Sequence, residues 1–212
     1  MILGVLLLAS CSHAPPQVVQ VFDQVDRVFD PATQAWSERL SAFVQASSSD
    51  GTKVFDRLHL IHDAQNLFVT VGRSQWVSVD RPGEYWVGVK DLGFPGGKVP
   101  TGEWRAMLVT RAGQKVEIRF QVPPTGPGAK APRTSGVTVQ PADLTGQYSV
   151  AGWVDDYLVW ARDAKGQLIA RNKTLGPSFQ VPQGTATFVL YSYDKDRGEG
   201  LEAGPFPVQE PR

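Results

Sequence analysis

His59 and His62, in the stretch RLHLIHDAQ, carry metal-ligating nitrogens three positions apart. On a helix that spacing brings two imidazoles to one face; on a strand it sends them to opposite faces. Leu58, Leu60, Leu67 and Phe68, with turn-forming Asp63-Ala64-Gln65-Asn66 between them, predict a hairpin, so the pair is not read as metal ligands. No nucleophile motif accompanies either histidine, and His13 lies in a polar N-terminal stretch, so no Ser-His-Asp system is assembled. Asp194 and Asp196 open like a calcium loop, but Gly198, Glu199 and Pro205 stand where a third oxygen ligand, the turn glycine and the bidentate Glu are needed. That stretch reads as a charged hairpin tip. Asp155 and Asp156 are adjacent and diverge on a strand, whereas two carboxylates working on one glycosidic bond face it about 5 to 9.5 Å apart. The expectation is a non-enzyme with no metal and no cofactor.

Six tryptophans are the remaining chemistry. Trp36 shares a stripe with Leu40 and Phe43, Trp104 alternates with Ala106 and Leu108, and Trp160 alternates with Leu158; these three are expected in the core. Trp76 and Trp86 run out of phase with Val77/Val79 and Val87/Val89, and Trp153 sits in a polar turn. Trp76, Trp86 and Trp153 are therefore the candidate binding platform, since an exposed indole offers a flat apolar face to a sugar or a peptide. In the competing reading Trp76 and Trp86 pack under the N-terminal helices.

The single cysteine, Cys11, excludes an internal disulfide framework and a cysteine-based zinc site. It leaves a buried thiol, a nucleophile or an attachment point. The apolar run Ile2 to Leu8 precedes it; a bilayer span needs roughly 20 residues, and a run this short has the length of a signal-peptide core. Small residues follow, then Cys11, then the polar Ser12-His13-Ala14-Pro15-Pro16-Gln17. Leu8-Ala9-Ser10-Cys11 resembles the bacterial lipobox. That resemblance implies lipidation of Cys11, removal of residues 1–10 and anchoring to an envelope membrane. In departure from the pattern, no basic residue precedes the apolar run. Each buried acyl CH₂ contributes about 0.8 kcal/mol, so several chains hold firmly. The tether 12–17 reaches about 20 Å at full extension.

The 212 residues balance 21 basic against 21 acidic side chains, and the basic ones are scattered, so no nucleic-acid partner is expected. With 42% hydrophobic residues the chain has enough apolar surface for a real core.

The elements that must position these groups are short and β-rich. Val18, Phe22, Val25 and Phe29 recur at helical spacing, as do Trp36, Leu40, Phe43 and Val44, and Asp30-Pro31 between them suits a helix start. Two short N-terminal helices are therefore expected. From Thr52 onward the chain reads as strands. EWRAMLVT and KVEIRFQV form a hairpin around Arg111-Ala112-Gly113-Gln114, and YLVWARD with QLIARN forms another. The first is similar to the closing hairpin of immunoglobulin-like and fibronectin-type domains of bacterial surface proteins. Residues 123–135, rich in Pro and Gly, read as a linker. The expected fold is mainly β: a helical segment with a first β-sandwich-like module over 18–122, and a second over 136–212. The expected function is a membrane-anchored envelope lipoprotein that binds another envelope protein, with glycan binding through the tryptophans as the alternative.

Overall fold

A computed structural model describes residues 15–82, 84–125, 136–142 and 146–208. Cys11, the rest of the lipobox and most of the 123–135 stretch lie outside those residues. The described chain forms fifteen strands. They are β1 (Gln17–Asp30), β2 (Ala35–Ser47), β3 (Phe55–His62), β4 (Leu67–Gly72), β5 (Val77–Arg81), β6 (Glu84–Gly93), β7 (Gly102–Thr110) and β8 (Lys115–Val122). The second series is β9 (Thr138–Pro141), β10 (Gln147–Ala151), β11 (Asp156–Arg162), β12 (Leu168–Leu175), β13 (Ser178–Gln180), β14 (Thr187–Asp194) and β15 (Glu199–Pro207). The fold is mainly β, and among the described residues no helix is long and apolar enough to cross a membrane.

The expected N-terminal helices are corrected: both segments are strands. β1 carries Val18, Val19, Val21, Val25 and Val28, whose branched side chains favour extended backbone. Asp30 does not cap a helix. Its carboxylate accepts from the Ala32 N–H at 2.8 Å and the Thr33 hydroxyl at 3.0 Å, folding the turn into β2. In β2 the even positions Glu38, Leu40, Ala42, Val44 and Ala46 are all buried, a period of two broken only by buried Ser41.

The chain divides into two compact units whose segments interleave. Unit 1 takes residues up to Phe22, Phe43–Val89 and Glu103–Phe120. Unit 2 takes Asp23–Ala42, Lys90–Gly102 and residues from Gln121 onward. β1, β2 and β6 therefore each contribute to both units, so residues 23–42 and 90–102 belong with the C-terminal strands.

In unit 1 a four-stranded sheet, β4-β3-β7-β8, faces a second layer containing β6 and β5. Phe55 from β3 stacks on Tyr85 from β6 with ring centroids 6.2 Å apart, joining the layers. The alternation of β8 places Val116, Ile118 and Phe120 toward the interior and Lys115, Glu117 and Arg119 toward solvent. In unit 2 the strands run β12-β11-β14-β15-β1, with β1 and β15 parallel, opposite the three-stranded sheet β13-β10-β9. One core fills the gap: Tyr148 and Phe179 come from the small sheet, and Phe29, Tyr157, Phe188 and Leu190 from the large one. Each unit is thus a β-sandwich, two sheets closing on one apolar layer.

Candidate functional site

β5 presents an open, partly apolar edge in unit 1. It ends the strand order of its sheet, with β6 as its ladder partner among the described residues. All five of its residues are exposed, including Val77 at 44% and Val79 at 39%. The register pairs Val77 with Gly88, Ser78 with Val87, Val79 with Trp86, Asp80 with Tyr85 and Arg81 with Glu84. Directly opposite residues of antiparallel strands share a face. Val79 therefore stands beside Trp86, and Gly88 has no side chain to cover Val77. The other face belongs to the interior, where Val87 is fully buried and Tyr85 stacks on Phe55. The Trp86 indole N–H donates to a Glu84 carboxylate oxygen at 3.3 Å, which fixes the ring on the outer face.

The three platform tryptophans do not form one group. Trp76, half-buried, precedes β5 by one residue and is out of phase with Val77 and Val79; the Arg73 guanidinium lies over its ring, 5.6 Å from the centroid. Trp86 is half-buried and in phase with Val79. Trp153 belongs to unit 2, half-buried against its core, with its indole N–H buried and without a hydrogen-bond partner.

Two features escaped the sequence. Trp160 is not core: Tyr157, Val159 and Ala161 take the buried phase of β11, and Trp160 shares the other face with Leu158 and Arg162. There it stacks on Tyr191 at 4.7 Å, with the Arg171 guanidinium 5.8 Å from its centroid on the neighbouring strand. Arg162 in phase with Trp160 was the available signal. The same sheet face carries a carboxyl cluster. Asp26, only 5% exposed, accepts from the Gln24 amide at 2.6 Å, and that amide also donates to the Tyr191 hydroxyl at 3.0 Å. Asp26 lies opposite Gly200, where a Cβ would collide with its carboxylate. Burial pushes the Asp26 carboxyl up. Burial, then the charges of Asp91 and Asp26, push Glu202 up, and burial with Asp26 beside it moves Tyr191 to about 12.

The other candidates are placed as follows. His59 and His62 lie on opposite faces of β3. His59 meets the Thr70 hydroxyl at 3.0 Å and the Phe68 ring at 4.7 Å, whereas His62 is buried edge-on to Trp104 at 5.0 Å. Asp155 and Asp156 are both exposed, and Asp156 pairs with Lys173 at 3.3 Å. The Asp194 carboxylate accepts from the Asp196 N–H at 3.1 Å, closing the β14–β15 hairpin turn. Among the described residues no three His, Cys, Asp or Glu side chains are grouped to hold a metal.

No protein-family model matches the chain, and no curated protein matches it. Among solved structures it is similar to Tp47, the 47-kilodalton lipoprotein of Treponema pallidum, at 13% identity and a TM-score of 0.37; the match covers 90% of this chain and 50% of that one. This chain thus spans half the length of that lipoprotein. It is also similar to DIP-gamma IG1+IG2, at 10% identity and a TM-score of 0.24, covering 90% of this chain and 97% of that chain. A tetra-tandem repeat from the extending region of a large adhesion protein aligns at 14% identity and a TM-score of 0.23, covering 89% of this chain and 50% of that chain.

Proposed function

We propose that this protein is a lipid-anchored bacterial envelope protein whose β-sandwich units act as a non-enzymatic interaction module. The observation that carries the reading is the open edge at β5. Five consecutive exposed residues, two of them valines with Val79 directly opposite Trp86, present an edge backbone and an apolar stripe together. Such an edge adds an extended chain through main-chain hydrogen bonds while side-chain pockets set the selectivity. The anchor rests on the lipobox-like Leu8-Ala9-Ser10-Cys11. The glycan alternative is weakened by Arg73, which lies over the Trp76 ring that a sugar would need.

Two measurements test this. Intact mass of the protein from membranes is expected to show residues 1–10 lost and acyl chains on Cys11, both absent from Cys11→Ala; an unmodified chain starting at Met1 overturns the anchor. A photo-crosslinking amino acid at Val77 is expected to capture a protein in the envelope, while the same group at exposed Leu175 captures none. Equal capture at both positions overturns β5 as the interaction edge.

A further inference from the structure

We infer that the chain docking on β5 is a second copy of β5, paired antiparallel about a two-fold axis through Val79; this rests on β5 being the interaction edge. A two-fold axis normal to a sheet pairs residues of one pleat phase, because opposite residues in antiparallel strands share a face. The axis must therefore pass through a residue. Through Asp80 it sets two carboxylates against each other and places Ser78 opposite Pro82, which has no N–H to give. Through Ser78 it brings Trp76 against Asp80 and leaves Arg81 without a partner within the strand. Through Val77 or Arg81 most of the strand is left unpaired.

At Val79 all five residues find partners: Val77 meets Arg81, Ser78 meets Asp80, and Val79 meets Val79. The existing register extends each row. The central row reads Trp86, Val79, Val79, Trp86, an apolar strip that crosses the axis on the outer face. The next row on that face reads Gly88, Val77, Arg81, Glu84, so the Arg81 stem covers the Val77 that Gly88 leaves open while its guanidinium stays next to Glu84. On the inner phase the Ser78 hydroxyl donates to the Asp80 carboxylate of the other copy. The far edge of the same strand order is guarded differently. β12 carries Arg171 and Lys173 and faces a register shift at Ala161/Arg162, both devices that repel edge pairing.

Two five-residue edges bury less than the roughly 1,000 Å² of a stable interface, so the dimer is weak in solution and gains from confinement on a surface. The test uses the full chain with Cys11→Ser, which leaves no thiol. Sedimentation velocity over a concentration series is expected to show a monomer that dimerises on concentration. Val79→Lys, which sets two ammonium groups across the axis, is expected to abolish dimerisation with the melting curve unchanged. Val79→Cys is expected to give a disulfide-linked dimer under mild oxidation, and Phe68→Cys, still more exposed elsewhere on unit 1, is not. A chain that stays monomeric at every concentration, or a dimer indifferent to Val79→Lys, overturns the self-pairing. A monomeric chain whose Val77 photo-crosslinks to a different protein overturns self-pairing and keeps the interaction edge. Absence of both dimer and crosslink overturns both.

Discussion

Glu38 shows how one residue can hide an element from its own sequence. It occupies the buried phase of β2 with only 3% exposure. There it accepts from Lys98 at 2.7 Å, from the Val99 N–H at 3.0 Å and from the Thr125 hydroxyl at 2.6 Å. Burial pushes its carboxyl up, but the hydrogen bonds of Lys98, Thr125 and Val99 outweigh that and hold it below the ordinary range. Lys98 is largely exposed and finds water if Glu38 is lost; the Val99 amide sits in a buried residue and does not. Glu38→Ala is therefore expected to destabilise by about 1–3 kcal/mol, the desolvation of an orphaned buried donor, and Glu38→Gln by less because its amide oxygen still accepts. Urea unfolding of the two variants beside the parent checks this, and equal loss in both would contradict the Val99 assignment.

The carboxyls of unit 2 give a pH dependence with opposing limbs. Asp26 is raised by burial, and Glu202 by burial together with Asp91 and Asp26; Lys90 and Arg39 temper both. A raised group binds its proton more readily when folded. Its contribution is present below the unfolded pKa and is lost as pH rises through the folded one. Glu38, held low, contributes above its unfolded pKa, and this is lost as pH falls. The melting temperature is therefore expected to rise as pH falls from neutral toward the ordinary carboxylate range, and to fall again below about pH 4. Asp26→Asn should flatten the upper limb and Glu38→Gln the lower, as scanning calorimetry across that range would register. An unchanged upper limb in Asp26→Asn would remove Asp26 from the account.

At the scale of elements, the hairpins were legible and the N-terminus was not. β7–β8, β11–β12 and β3–β4 follow alternation and turn residues, and Asn66 closes the last in a left-handed conformation at φ 50°. β1 and β2 look helical in sequence because their large apolar residues fall at helical intervals. In β2 the in-phase positions between them are filled by Glu38 and by small Ala42 and Ala46, which mask the period of two. In β1, Val18 and Phe22 are on one phase and Val25 and Phe29 on the other, with the boundary between units falling at Phe22/Asp23. Both phases of YLVWAR are apolar, so local alternation does not reveal which face Trp160 takes.

For the whole molecule, the interleaving of the units makes a definite claim. Residues 136–212 contain most of unit 2 but lack β1, whose Val25–Phe29 run pairs in parallel with Glu199–Ala203 of β15 and whose Phe29 is fully buried in that core. A fragment of 136–212 is left with an open β15 edge and a cavity of Phe size, a loss of about 3–5 kcal/mol from the cavity alone. It is expected to be unfolded or aggregated by NMR, whereas the same fragment refolded with a separate peptide of residues 17–42 is expected to regain dispersed amide signals. A fragment that folds alone would contradict the placement of β1 in unit 2.

The sequence by itself determined the mainly β character, most of the hairpins, the lipobox-like start and the opposite facing of His59 and His62, because each depends on neighbours within a few residues and on a periodicity of two. Only the tertiary structure decided that residues 23–42 serve the C-terminal sandwich, that Glu38 is buried and satisfied, that Trp160 faces outward, and that β5 lies at an edge. Those outcomes depend on which strand pairs with which, and pairing joins residues more than a hundred positions apart, such as Phe29 and Ala203, that no local pattern connects.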